Sequence, residues 1–118
     1  MTANQQSAPI VAALAALAHE HRLAAFRLLI QAGPIGINAG DLAERLTLIP
    51  SSLTFHLQAL HHAGLITQRR ASRHIIYAAN FTAINGLVAY LLENCCGQPT
   101  PTACIQPQIQ PEPRPPCP

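Results

Sequence analysis

Apolar residues recur along this chain at two different periods, and the change of period marks out its elements. Leu42, Ala43 and Leu46 fall at i, i+1 and i+4, and after a short break Leu53, Leu57 and Leu60 fall at i, i+4 and i+7. That spacing predicts two short helices, each with one apolar stripe, joined by a tight turn and closed by Gly64. The period then drops. Leu65-Ile66-Thr67-Gln68-Arg69-Arg70 and Arg73-His74-Ile75-Ile76-Tyr77-Ala78 are β-prone runs on either side of Ala71-Ser72, which predicts a hairpin. Upstream, residues 1–8 are polar and predict a loose segment, and Pro9 suits the first turn of a helix running through Leu14 and Leu17. His21 to Ala32 reads as a second helix, apolar at Leu23, Phe26, Leu29 and Ile30 and ended by Gly33-Pro34, with an extended link over 35–39. Phe81 to Cys96 reads as a last helix, because Ile84, Leu87, Val88, Leu91 and Leu92 follow i, i+3, i+4, i+7 and i+8.

This order predicts a mainly α fold with a small β-hairpin, a winged helix-turn-helix. The outward face of the second short helix carries Ser51, Ser52, Thr54, Phe55 and Gln58. Short polar groups with one aromatic suit phosphates, base edges and a thymine methyl. The hairpin adds Arg69, Arg70 and Arg73, and from Thr47 to Asn80 there is no Asp or Glu to repel a phosphate backbone. Double-stranded operator DNA is the expected partner. A winged-helix module that binds protein instead of DNA is the competing reading.

Composition narrows this picture. The chain has 118 residues, 49% hydrophobic and only 10% charged, with a formal net charge of +2. That supports one domain with an adequate core, residues 1–96, and argues against a protein that coats nucleic acid without specificity. Affinity is then expected to depend on where the arginines sit and on doubling the site in a homodimer. No apolar run is long enough to span a membrane, and the N-terminus lacks the basic segment of a signal peptide. A cytoplasmic protein with reduced cysteines and no membrane partner is expected. From Gly97 the composition changes: residues 97–118 hold eight of the eleven prolines, with Cys104 and Cys117 among them. Such a tail reads as extended, polyproline-like chain, which could also dock a partner domain.

Residues 9 to 96 resemble the arsenical-resistance repressor family (ArsR/SmtB). The carrying stretches are AHEHRLAAFRLLIQAGPI, with Arg22, Leu23 and Leu29, and SSLTFHLQALHHAGLITQRRASRHIIYAAN. In the second, Ser51, Ser52, Thr54, His56, Leu57, Leu60, Gly64 and Leu65 fall where the family has a small polar pair, a hydroxyl, His-Leu, Leu and Gly-Leu. The resemblance implies a dimeric repressor released from DNA by metal or metalloid ions, with the dimer formed by the first and last helices. Leu14, Leu17, Leu87 and Leu91 are the expected interface residues. Where well-known members carry arsenic-binding thiols before Asp-Leu, this chain reads Ile37-Asn38-Ala39-Gly40-Asp41-Leu42 and has no sulfur; the last helix offers Glu93 but no His or Asp for zinc. The inducer site is expected elsewhere.

Cys95, Cys96 and Cys104 supply that site. Three thiolates form a soft trigonal set that suits As(III) or Sb(III) better than a divalent ion needing four ligands. The resemblance points the same way, because other arsenic-responsive repressors carry a cysteine pair at the end of the last helix and a third thiol beyond. A bridge between Cys95 and Cys96 is disfavoured, since neighbouring Cα atoms lie about 3.8 Å apart and ordinary disulfides prefer about 4.4 to 6.8 Å. A redox switch joining Cys104 to either remains open, as does a purely packing role for the pair. A catalytic cysteine is not expected, because the negative end of a helix disfavours a thiolate. His56 is read as orienting the second short helix, and His19 and His21 as belonging to a helix boundary.

Overall fold

A computed structural model describes the backbone of residues 2–97 and the side chains of residues 7–97. The elements follow the order α1 (Thr2–Leu17), α2 (Glu20–Ala32), β1 (Ile37–Asn38), α3 (Ala39–Leu46), α4 (Pro50–His62), β2 (Ile66–Ala71), β3 (His74–Ala79) and α5 (Phe81–Leu91), with 3₁₀ turns at Gly33–Ile35 and Cys95–Gly97. The chain divides into two units after Ile84, within α5. The mainly helical fold with a small antiparallel sheet is that of a winged helix-turn-helix. Among the described residues no helix is long and apolar enough to cross a membrane.

Side-chain caps explain where three helices begin. The His19 imidazole accepts from the His21 N–H at 3.1 Å, the Asn38 carbonyl from the Asp41 N–H at 2.8 Å, and the Asn80 carbonyl from the Ala83 N–H at 3.2 Å, each meeting one orphan donor of α2, α3 or α5. α4 differs. It begins at Pro50 with Ile49 before it, and no side chain caps it.

Sheet order is β1-β3-β2, all antiparallel. The hairpin closes with Ala71 opposite His74, leaving a two-residue turn in which Ser72 takes a left-handed φ of 61°. β1 was not expected from the sequence, where 35–39 reads as a link. It can lie against β3 because Gly36 has φ 78° and no side chain: a Cβ there would collide with the Tyr77 carbonyl and crowd Ile76 Cγ2.

The core of the first unit is built where the stripes meet. Leu29 of α2, Leu42 of α3, Leu53, Leu57 and Leu60 of α4, and Leu65 are the largest fully buried side chains. Each such leucine contributes roughly 1.5–3 kcal/mol relative to exposure. Leu23, by contrast, is exposed.

Two helix boundaries differ from expectation. α1 starts at Thr2 and passes through Pro9, because the polar stretch before the proline consists largely of residues that tolerate helix and contains no Gly. α5 ends at Leu91, and Asn94 and Cys96 adopt left-handed φ of 58° each. Cys95 and Cys96 therefore stand in a separate 3₁₀ turn rather than on the last helix.

Candidate nucleic-acid interface and thiol pair

The apolar stripe of α4 fixes which of its residues face outward. With Leu53, His56, Leu57 and Leu60 buried, Ser51, Thr54, Phe55 and Gln58 are exposed and Ser52 is half-buried. Phe55 is 63% exposed, a large apolar group on an otherwise polar face. Beside this face lies a groove lined by Thr54, Leu57, Gln58 and His61 of α4 and by Gln68, Ile75 and Tyr77 of the hairpin.

Strand alternation separates the arginines. Gln68 pairs with Tyr77 and Arg70 with Ile75, so Arg70 shares the hairpin face that lines the groove beside α4. Arg69 pairs with Ile76 on the opposite face, and its guanidinium donates to the Ile35 carbonyl at 2.9 Å. Arg73 is exposed in the turn. Arg70 is thus presented on the hairpin face that lines the groove and Arg73 at the hairpin tip, while Arg69 ties the wing to the turn before β1.

A second cluster joins α4 to the start of α2. His19 and His21 flank the start of α2, and their ring centroids lie 4.5 and 5.6 Å from that of His56, 5.5 Å from each other. Arg22 Nε donates to His56 Nδ1 at 3.3 Å, and the Arg22 guanidinium lies 5.9 Å from the Phe55 ring centroid. His56 is 8% exposed. Burial, reinforced by His19, Arg22 and His21, lowers its pKa from the ordinary 6.5. No group of three or more His, Cys, Asp or Glu among the described residues is placed to hold a metal ion.

At the far end, Cys95 Sγ and Cys96 Sγ lie 3.6 Å apart. Cys95 is a free, half-buried thiol, and Cys96 takes part in a disulfide. Cys104 lies outside the described residues. Of the expected interface residues, Leu14 and Leu91 are exposed, at 42% and 56%, and Leu17 is half-buried; Leu87 is buried within the single chain, at 5%. Val88, exposed at 46%, extends the apolar surface of α5.

A helix-turn-helix with an outward polar face and a basic hairpin beside it defines a winged-helix transcriptional regulator. No family model matches the chain. Relatives do: it is 33% identical over 93 residues to the HTH-type transcriptional regulator YgaV of Escherichia coli K12, covering 78% of this chain and 92% of that protein. It is 29% identical over 92 residues to the transcriptional activator HlyU of Vibrio cholerae, covering 78% and 82%. The structure of reduced HlyU from Vibrio cholerae N16961 superimposes with a TM-score of 0.64 at 28% identity, over 80% of this chain and 97% of that one. An ArsR-like transcriptional regulator from Rhodococcus sp. RHA1 does so with 0.69 at 25% identity, over 92% and 99%. The chain belongs to the ArsR/HlyU family of winged helix-turn-helix transcriptional regulators.

Proposed function

We propose that this regulator is a repressor that binds operator DNA as a homodimer and leaves it when As(III) or Sb(III) is captured by Cys95, Cys96 and Cys104. The DNA half of the reading rests on the acid-free face of α4 with Arg70 on the facing strand and Arg73 exposed at the hairpin tip. Two copies present two such helices, and a palindromic operator places successive major grooves about 34 Å apart. The exposed Leu14, Val88 and Leu91 support association through α1 and α5.

The observation that carries the effector half is the 3.6 Å separation of the Cys95 and Cys96 sulfurs. One soft ion with bonds of about 2.3 Å reaches both at that separation. In this reading the ion binds cysteines that are not among the DNA-facing residues, and release is allosteric. A coupling of about 1–3 kcal/mol between thiol site and DNA site weakens operator binding roughly 5- to 150-fold, enough for a switch.

A second reading draws on the Cys96 disulfide: oxidation of the same thiols, rather than metalloid capture, changes operator affinity. That HlyU has been studied in a reduced form supports treating the redox state as a variable. Titrating the reduced full chain with arsenite while following thiolate-to-arsenic absorption and operator binding tests the first reading. Release with one equivalent per site, lost in Cys95→Ser, Cys96→Ser and Cys104→Ser, is the expected result. Release by a thiol oxidant but not by arsenite selects the redox reading. Persistent operator binding under both treatments overturns the thiol site and leaves a regulator with another effector.

A further inference from the structure

We propose that Arg22, His19 and His56 form a proton-sensitive latch that positions the recognition helix α4 on α2, so that operator affinity falls as the medium becomes acidic. The proposal rests on the DNA-binding reading and adds a second input, distinct from the thiols.

The geometry places two imidazole nitrogens in the role of acceptor. His56 Nδ1 receives the Arg22 Nε–H at 3.3 Å, and His19 Nδ1 receives the His21 backbone N–H at 3.1 Å as the cap of α2. An arginine cannot give up its proton, so the first bond requires His56 to be unprotonated at Nδ1. The second requires the same of His19. Protonation turns each acceptor into a donor facing a donor. It also places positive charge beside the Arg22 guanidinium and at the N-terminal end of α2, which disfavours cations.

The field at His56 is set by His19, Arg22 and His21, all basic. Glu20 is the acid in the first turn of α2, and Asp41, Glu44 and Arg45 on α3, Arg69 and Arg70 on β2 and His74 on β3 lie on the other elements packed against α2 and α4. The charged groups that lower the His56 pKa are His19, Arg22 and His21, after burial itself. Residues 2–17 of α1 include no titratable side chain. Burial strengthens the effect, since an imidazolium that is largely shielded from water must find its partners within the protein. The bond spans the contact between α2 and α4, and α4 carries Phe55, which the same guanidinium approaches. Breaking it removes the side-chain hydrogen bond that ties the middle of α4 to α2, and with it one constraint on how the helix is set beside Phe55.

The sign follows from the buried group. Its neutral form is favoured in the fold, so stability is full above the unfolded value of about 6.5 and declines as pH falls below it, until the folded state protonates too.

The test uses the reduced full chain, a selected operator duplex and a random duplex, with affinities measured between about pH 8 and pH 5. Operator affinity relative to random DNA should fall roughly tenfold in the wild type, within the range of an ordinary coupling between sites. His56→Gln can still accept from Arg22 but cannot protonate, and should flatten most of that change. NMR titration of the His56 imidazole in the unmodified protein provides a measurement independent of the variant's folding. It should show a pKa below the ordinary value, raised when Arg22 is replaced by Gln. Wild-type pH dependence retained in a folded His56→Gln protein, or an unperturbed His56 titration, would overturn the latch. Operator binding that is constant with pH overturns it while leaving the DNA-binding reading intact; no operator binding at any pH overturns both.

Discussion

Gln58 on α4 and Arg70 on the hairpin lie beside the same groove yet should fail in different ways when truncated. A side-chain amide can satisfy both donor and acceptor sites on a base edge, whereas an exposed guanidinium at the rim of a helix meets phosphate first. Gln58→Ala is expected to cost about 1–3 kcal/mol on the best operator and little on random duplex, measured by fluorescence anisotropy. Equal losses on both duplexes would make Gln58 a positioning contact. Arg70→Ala should weaken both duplexes alike and reduce the slope of log affinity against log salt by roughly one. Arg69→Ala should behave otherwise, because its guanidinium is bonded to the Ile35 carbonyl. It should lower thermal stability and move the salt slope less than Arg70→Ala does; an identical slope change in the two variants would show that Arg69 leaves Ile35 for phosphate.

Among the elements, α3, α4 and the hairpin were legible because each has a stripe long enough to show its period: Leu53, Leu57 and Leu60 on α4 are all buried, as the spacing predicts. β1 was not legible, since two residues have no period and Ile37–Asn38 becomes a strand only because Gly36 lets the backbone approach β3. Gly36→Ala should therefore destabilise the domain by at least about 2 kcal/mol, through a strained positive φ and the collision with Tyr77. A melting temperature unchanged from wild type would mean that β1 can detach at no cost. The Cys95–Cys96 turn was misplaced for a related reason: the apolar period of α5 gives no warning that Asn94 turns left-handed and ends the helix early. The His19–His56 contact was invisible because it joins residues far apart in sequence, and only the packing of α2 on α4 brings them together.

At the scale of the whole molecule, the exposed apolar groups of α1 and α5 are the features that a solitary chain explains least. Leu91 leaves 56% of its surface open, whereas Leu87 on the same helix is already satisfied. If the proposed dimer forms through this face, Leu91→Glu should sediment as a monomer and lower operator affinity with the wing intact, because a carboxylate buried at a self-complementary seam has no partner. Leu87→Glu should instead unfold the protein. A dimeric, DNA-competent Leu91→Glu protein would remove α5 from the interface.

The bare start of α4 carries a consequence of its own. Where α2, α3 and α5 each begin under a side chain of this chain, α4 begins at Pro50 with nothing above it, so its first amide groups are left for an outside acceptor. On the proposed operator that acceptor is a phosphate, whose charge the positive end of a helix also favours. The nucleic acid then completes the protein's own secondary structure. Operator binding should accordingly slow hydrogen exchange at the Ser51 and Ser52 amides beyond what contact shielding gives their neighbours.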